Sequence, residues 1–296
     1  MDIDCVFSGG GIKGYAFIGA LQTIKEHQYE IKRVAGTSAG AILAACIAAN
    51  YTVEEIEQML EQVQIENLLD PPFLSKYVPF TKWFLLYRQM GLYKGDKLES
   101  WFEDILAKKG VYTFADLEKD ALKIVISDIS LGKLVVIPDD LQRVYGINPK
   151  LFKVATAVRM SANFPYFFMP KKLYFNHTYS YIVDGGILSN FPLWVFRNGE
   201  HERNKRPVLG ITLSDTVENS GPVKVQQAID LFRALFLAMM RAHDTRYVSR
   251  KMQNDVIFIP VKEINAMDLA IPDDVKRQLI QLGNEKTATF LKTWSK

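Results

Sequence analysis

The sequence predicts an α/β fold, a three-layer α/β/α sandwich around a central, mostly parallel sheet. Within the first 50 residues, a short apolar run twice ends in a glycine-rich turn and leads into a helical pattern. This strand-turn-helix rhythm is typical of a parallel sheet with helices on both faces. Because neither an internal repeat nor a low-complexity linker interrupts the 296 residues, we expect a single domain over 1–296.

Each element has its own local signal. The apolar run 5–7 predicts the first strand, and apolar residues at helical spacing predict a helix over 15–28. Thr52 with Glu55 three residues later is a capping box, which predicts a helix from there. Further strands are predicted over 33–35, 122–129, 133–137, 181–183, 208–213 and 256–259, and further helices over 42–49, 229–247 and 273–294. The motifs described below lie in a core of about 3–215, and 216–296 completes the fold with helices and a strand.

The composition indicates a globular protein, with 48% hydrophobic and 23% charged residues. A net charge of +3 is too small to indicate a nucleic-acid partner and favours anionic surfaces only mildly, so peripheral membrane contact stays open. The acidic N-terminus lacks the basic segment of a secretory signal, and no apolar run approaches the ~20 residues that span a bilayer. We therefore expect a cytoplasmic protein. Cys5 and Cys46 lie in apolar segments, where buried free thiols are the ordinary case.

Ser38 lies in a Gly36-x-Ser38-x-Gly40 motif between a predicted strand and a predicted helix. In that setting the serine occupies a sharp turn, and the glycines let neighbouring backbone pass without a Cβ clash. The following helix directs its N-terminal N–H groups to the place where negative charge develops during acyl transfer. The motif indicates a nucleophilic serine, although an ordinary turn that opens a helix fits the same residues.

A serine nucleophile needs a base, and the histidines of this chain are poorly placed to supply one. The four histidines are His27, His177, His201 and His243, of which His177 is the best placed. A carboxylate is the alternative, because Asp184 follows the apolar run 181–183 and precedes Gly185 and Gly186. Sites assemble at the carboxyl ends of strands in an open parallel sheet. Desolvation by apolar neighbours would raise the pKa of such an aspartate, so that it accepts a hydroxyl proton.

A glycine-rich loop follows the first predicted strand. It consists of Gly9, Gly10, Gly11, Ile12, Lys13 and Gly14. Consecutive glycines can turn several N–H groups toward one point, which makes a nest for an anion. The same spacing fits a dinucleotide-binding loop, but that motif expects an acidic residue at the end of the second strand, and 31–49 contains none. Lys13 either adds positive charge near the nest or is a solvated lysine at a helix start.

Taken together and in this order, the loop 9–14, the serine turn 36–40 and the Asp-Gly-Gly of 184–186 resemble the patatin-like phospholipase family. The segment 157–168 is similar to that family's A-x-x-A-S-x-A-x-P-x-x-F pattern, with Met160 where alanine is usual. Two smaller departures are familiar variants in the family: a lysine in the loop where arginine is frequent, and a second glycine after the aspartate where alanine is frequent.

The resemblance implies a Ser–Asp dyad without histidine, in which Ser38 attacks an ester carbonyl and Asp184 takes its proton. It implies that backbone N–H groups within 9–12, chiefly those of Gly10 and Gly11, hold the oxyanion. The acyl-enzyme is then hydrolysed by water that the same carboxylate activates. Phospholipids, lysophospholipids or neutral glycerolipids are the implied substrates, with neither a metal nor an organic cofactor.

Two other interpretations remain beside the lipid acyl hydrolase. One is a catalytically weak lipid-binding or regulatory protein of the same fold, against which the presence of both dyad residues speaks. The other is a nucleotide-binding protein, which the missing acidic residue opposes. The segment 71–95 interleaves aromatic residues with lysine and arginine, which suits either an interfacial lid over a lipid site or a packed subdomain.

Overall fold

An eight-stranded mixed sheet lies at the centre of the computed structural model. The structure describes residues 1–71, 88–196, 206–214, 225–227, 254–261 and 271–294, together with five single positions between 231 and 239. The sheet contains β1 (Asp2–Phe7), β2 (Glu30–Gly36), β4 (Leu122–Asp128), β5 (Lys133–Ile137), β7 (Lys171–Phe175), β8 (Thr178–Asp184), β9 (Val208–Thr212) and β10 (Val256–Phe258). Two further strands, β3 (Gly91–Tyr93) and β6 (Tyr166–Phe168), form a separate small sheet.

Helices of about two to five turns connect and cover these strands. They are α1 (Tyr15–Glu26), α2 (Ala39–Ala48), α3 (Val53–Gln62), α4 (Asp96–Ala107), α5 (Val154–Ser161) and α6 (Asp273–Leu291). The predicted capping box opens α3, since Thr52 accepts the N–H of Glu55 at 3.2 Å and Glu55 accepts the N–H of Thr52 at 2.8 Å. No helix in the described ranges has both the length and the apolar character that crossing a bilayer requires.

The parallel part of the sheet runs in the order β10-β9-β1-β2-β4. Alternate residues of β1 face opposite sides, as a strand dictates. Phe7 packs edge-to-face on Phe17 of α1, with ring centroids 5.4 Å apart, while Val6 packs on the other side in an apolar cluster with Phe191 and Leu193. The predicted mostly parallel sheet flanked by helices is therefore confirmed.

The antiparallel part contains the main difference from the sequence prediction. Residues 122–129 and 133–137 form the expected hairpin, as β4 and β5. The strand predicted over 181–183 is longer, Thr178–Asp184, and it runs antiparallel to β4 within a sheet that was predicted to be mostly parallel. The cause is a hairpin with β7, whose two-residue turn Asn176–His177 has positive φ at both positions, a conformation that hairpin turns favour.

Several predictions fall on residues that the structure does not describe. Most of the segment 71–95 lies outside the described residues, since 72–87 are not covered; its end forms β3. In the predicted helix 229–247, the described positions are all helical: Leu231, Ala234, Leu235, Ala238 and Met239. The single-domain organisation stays a prediction.

Candidate active site

Two strand ends meet beside β4 and bring Ser38 close to Asp184. β2 runs parallel to β4 and ends with Gly36 opposite Ile124, whereas β8 runs antiparallel and ends with Asp184 opposite Ile126. Since β5 pairs with β4 over this whole stretch, β2 and β8 share the other edge of β4. Their carboxyl ends therefore face each other across two residues of β4, about 7 Å of strand.

Ser38 itself occupies the turn between β2 and α2. Its backbone has φ 53° and ψ −122°, a conformation that residues other than glycine rarely adopt. The close approach of its flanking glycines explains the motif. A Cβ on Gly36 would collide with the carbonyl of Gly40, and a Cβ on Gly40 would lie 2.5 Å from the carbonyl oxygen of Phe7. Ser38 precedes the first residue of α2, so the positive end of that helix dipole points at the site.

The Asp184 carboxylate is 1% exposed and accepts hydrogen bonds from the Ser38 hydroxyl and from the N–H of Gly186, the latter at 2.7 Å. Burial raises the pKa of Asp184 to about 6, and the two hydrogen bonds counteract only part of that rise. The next residue, Gly185, lies so close to the carbonyl of Val125 that a Cβ would collide with it. The carboxylate is thus positioned and basic enough to accept a proton from its serine partner near neutral pH.

The glycine-rich loop begins at the end of β1, beside the same strand ends. Gly9 is buried and its N–H donates to the carbonyl of Asn190 at 3.0 Å, so this donor is already engaged. Gly11 has a φ of 56° and is exposed, and it opens a short 3-10 turn over Gly11–Gly14. The first N–H groups of such a turn have no acceptor within it. Among the backbone hydrogen bonds of the described residues, the N–H groups of Gly10, Gly11 and Ile12 have no acceptor, so they are the donors left for an anion.

Lys13 and Gly14 close the loop and attach it to the rest of the fold. The Lys13 ammonium donates to the carbonyl of Val261 at 3.2 Å, just after β10. Gly14 has helical φ and ψ and precedes α1. Lys13 therefore contacts the protein rather than serving only as a solvated lysine.

The described histidines lie away from the dyad. His27 is at the C-terminal end of α1, where its ring nitrogen Nδ1 contacts the carbonyl of Thr23 at 2.9 Å. His177 lies in the turn before β8, and Asp184 ends that seven-residue strand, about 20 Å away along it. His201 and His243 lie outside the described residues.

Three polar residues at the site were not singled out from the sequence. Ser161 accepts the N–H of Ser38 at 2.9 Å, and the carbonyl of Asn163 accepts the N–H of Asp184 at 2.9 Å. The side-chain oxygen of Asn190 occupies the position that a Cβ on Gly9 would take. Ser161 and Asn163 lie within the segment 157–168, and Asn190 follows the motif 184–186. The sequence pattern had identified both motifs, but nothing local marks which residues contact the dyad.

Comparison with known proteins agrees with these features. The family model described as patatin-like phospholipase matches residues 5–197, which include the glycine loop, Ser38 and Asp184. The uncharacterized protein YqhO of Bacillus subtilis is 45% identical over 295 residues, covering 100% of both chains. A protein of invertebrate iridescent virus 6, named probable lipid hydrolase 463L, is 25% identical over 205 residues, 68% of this chain and 65% of the viral protein.

Among solved structures, VipD from Legionella pneumophila has a similar fold. It aligns with a TM-score of 0.56 at 17% identity, covering 98% of this chain and 66% of VipD. The chain thus spans about two thirds of the VipD length. At this identity the likeness concerns the fold alone.

Proposed function

We propose that this chain, which belongs to the patatin-like phospholipase family, is a lipid acyl hydrolase that cleaves fatty-acyl esters through Ser38 and Asp184. The observation that carries the proposal is the hydrogen bond from the Ser38 hydroxyl to a buried carboxylate whose pKa is about 6. A nucleophile and a base within hydrogen-bond reach are the minimum for covalent acyl transfer. Here the base is a carboxylate, and the sequence pattern for a histidine base is missing.

The acylation step follows from this contact. Asp184 accepts the hydroxyl proton while the Ser38 oxygen attacks the ester carbonyl carbon, and a tetrahedral oxyanion forms. N–H groups of Gly10, Gly11 and Ile12 donate to that oxyanion; the α2 dipole adds to the stabilisation. The intermediate collapses, the carbon–oxygen bond to the alcohol breaks, and the alcohol leaves with the proton held by Asp184.

Deacylation repeats the chemistry with water in place of serine. Asp184, deprotonated again, accepts a proton from a water molecule whose oxygen attacks the acyl-serine carbonyl. The second tetrahedral intermediate uses the same N–H donors, and its collapse returns the proton to the Ser38 oxygen. The products are the free fatty acid and the original dyad.

We propose a lipid rather than a small ester as the physiological substrate. The support is the family and the name of the viral relative, a lipid hydrolase. Phospholipids, lysophospholipids and neutral glycerolipids all present the required fatty-acyl ester. Such substrates reside in membranes or micelles, so the protein is expected to contact a lipid surface peripherally while it acts.

The test is turnover of p-nitrophenyl esters of graded chain length, followed by phospholipid and triacylglycerol vesicles or emulsions. Wild type is expected to prefer longer acyl chains, and Ser38→Ala and Asp184→Asn to lose at least about 100-fold in kcat. Asparagine has the size of aspartate but accepts no proton. Equal turnover by all three proteins would remove the dyad from the mechanism.

Covalent labelling by a fluorophosphonate distinguishes an active hydrolase from a lipid-binding protein of the same fold. Wild type is expected to be labelled at Ser38, and Ser38→Ala not at all. Lipid binding without labelling and without ester turnover would favour the binding protein.

A further inference from the structure

The Ser161 side chain connects the nucleophile to the centre of the sheet. Its hydroxyl oxygen accepts the N–H of Ser38 at 2.9 Å, and its proton is donated to the carbonyl of Val125 at 2.7 Å. Ser161 is fully buried, so its bond to Val125 is shielded from water, and its bond to half-buried Ser38 is partly shielded. Val125 lies between the two residues of β4 that face the ends of β2 and β8. The hydroxyl is thus anchored where the two strand ends meet.

Asn163, two residues later, completes the free edge of β8. β7 pairs with β8 only as far as Ile182, opposite Lys171, so the end of β8 extends beyond its neighbour. Asn163 makes the hydrogen bonds that a neighbouring strand would otherwise make there. Its Nδ2 donates to the carbonyl of Ile182 at 2.7 Å, and its own carbonyl accepts the N–H of Asp184 at 2.9 Å. Asp184 therefore enters the site from backbone that is held on both edges.

We propose that the turn from Ser161 to Asn163, at the end of α5, sets the separation between Ser38 and Asp184, and that Ser161 is the positioning residue of the nucleophile. This inference rests on the function proposed above. One short turn holds the backbone N–H of both dyad residues, and the two residues that make these contacts, Ser161 and Asn163, are fully buried. A site whose supporting groups belong to one packed element keeps its geometry better than one supported from separate loops.

Ser38 depends on such support because its backbone conformation is strained, with φ 53°. Without the Ser161 hydroxyl, the Ser38 N–H would lose its acceptor in a partly buried place, and the turn would rotate to find another. The Ser38 side chain would move with it, away from Asp184. The same bond also removes the Ser38 N–H from the possible oxyanion donors, which leaves that role to the glycine loop.

The test compares Ser161→Ala with Ser161→Thr. Alanine removes the acceptor and is expected to lower kcat for a p-nitrophenyl ester about 10- to 100-fold, with KM changed less than about twofold. The pH at which kcat/KM reaches half its maximum is expected to stay the same, because Asp184 is untouched. Threonine keeps the hydroxyl as donor and acceptor and is expected to recover kcat to within about threefold of wild type. Ser161→Cys, a weak acceptor of similar size, replaces the alanine variant if that variant does not fold.

Ser180→Ala is the matched control, because Ser180 is 1% exposed and lies in β8, where it pairs with Leu173 instead of contacting Ser38. It is expected to keep the wild-type kcat. Exchange of the Ser38 amide proton, followed by NMR, measures the contact without reference to activity. It is expected to accelerate at least about tenfold in Ser161→Ala and Ser161→Cys, and to stay at the wild-type rate in Ser161→Thr and Ser180→Ala. Wild-type kcat or wild-type amide exchange in the alanine or cysteine variant would overturn the positioning role. Absence of ester turnover in wild type would instead refute the proposed function, and the exchange rate would still decide the contact.

Discussion

The hydroxyl of Ser38 donates a hydrogen bond to the carboxylate of Asp184, and the two residues reach that contact from opposite directions along β4. A carboxylate exposed to solvent would be too weak a base for a serine hydroxyl. At Asp184, burial opposes the charged form more than the hydrogen bonds favour it, and the pKa rises to about 6. The contact therefore combines proximity with a basicity suited to neutral pH.

The pH dependence of turnover is the first consequence. Only deprotonated Asp184 accepts the Ser38 proton, so kcat/KM for a p-nitrophenyl ester should rise about tenfold per pH unit below pH 6 and level off above it. Steady-state rates between pH 4.5 and 8.5 in buffers of constant ionic strength provide the measurement. Enzyme returned from each pH to pH 7.5 should regain full activity, which separates ionisation from unfolding. A midpoint near 4, the value of a solvated carboxyl, would contradict the desolvated base.

The same ionisation affects stability with a defined sign. Because the carboxyl pKa is higher in the folded protein than the ~4 of an unfolded chain, the folded state binds the proton more tightly. The contribution of Asp184 to the free energy of unfolding is therefore greatest below pH 4 and falls between pH 4 and 6. Above pH 6 the free energy of unfolding is lower by about 2–3 kcal/mol than it would be with Asp184 protonated. Asp184→Asn lacks the ionisation, so its stability relative to wild type should increase by that amount between pH 4 and pH 7. Urea unfolding of both proteins at several pH values measures the difference, in which all other carboxyls cancel.

Asp128→Asn is the control for that experiment. Asp128 is equally buried in β4, but its carboxylate accepts hydrogen bonds from the Tyr145 hydroxyl at 2.7 Å and from the N–H groups of Ser130 and Leu131. An amide cannot accept all of these bonds, so this variant should be less stable than wild type at pH 7. If both substitutions stabilised the protein at pH 7, the gain in Asp184→Asn would not be specific to Asp184, because replacing another buried aspartate would have the same effect.

Sequence patterns predicted the site's own members because each carries a local signature. The glycines around Ser38 are required by backbone that passes within van der Waals distance, and Asp184 follows an apolar strand. The direction of β8 was not predicted, because it depends on the hairpin with β7. Its signal was present, an Asn-His pair between two aromatic-rich alternating runs, but Asn-His is a weaker turn signal than Asn-Gly.

The supporting contacts of Ser161 and Asn163 were beyond sequence reasoning for a different reason. Each bonds a backbone N–H from a distant part of the chain, and a backbone group leaves no mark on the amino-acid type of its partner. The engagement of the Gly9 N–H by the carbonyl of Asn190 is a contact of the same kind. Local motifs thus identify reacting groups, whereas their orientation depends on tertiary packing.

Backbone strain at Ser38 predicts an unusual order of stability among inactive variants. Ser38→Ala and Ser38→Gly both remove the hydroxyl, but only glycine adopts φ 53° without a Cβ clash. Ser38→Gly should therefore be more stable than Ser38→Ala by about 1–2 kcal/mol, measured by urea unfolding. Ser180 has a negative φ, so there the glycine variant should be the less stable one. The same order at both positions would show that the turn at Ser38 relaxes when the hydroxyl is absent.

The two glycine motifs should differ in their tolerance of alanine, although both contain glycine at conspicuous spacing. A Cβ on Gly40 would lie 2.5 Å from the carbonyl oxygen of Phe7 and 2.6 Å from that of Ser8. Both carbonyls lie at the end of β1, which is paired on both sides and has little room to move. Gly40→Ala should lower the free energy of unfolding by about 2–3 kcal/mol. Gly14 has helical φ and ψ, and the nearest atom to its Cβ would be 3.6 Å away, in Ala39. The free energy of unfolding of Gly14→Ala should therefore be within about 0.5 kcal/mol of the wild-type value or above it, since alanine favours the helix that begins there. Thermal and urea unfolding of the two variants side by side test this contrast, and equal destabilisation would show that the loop before α1 is packed more tightly than its contacts indicate.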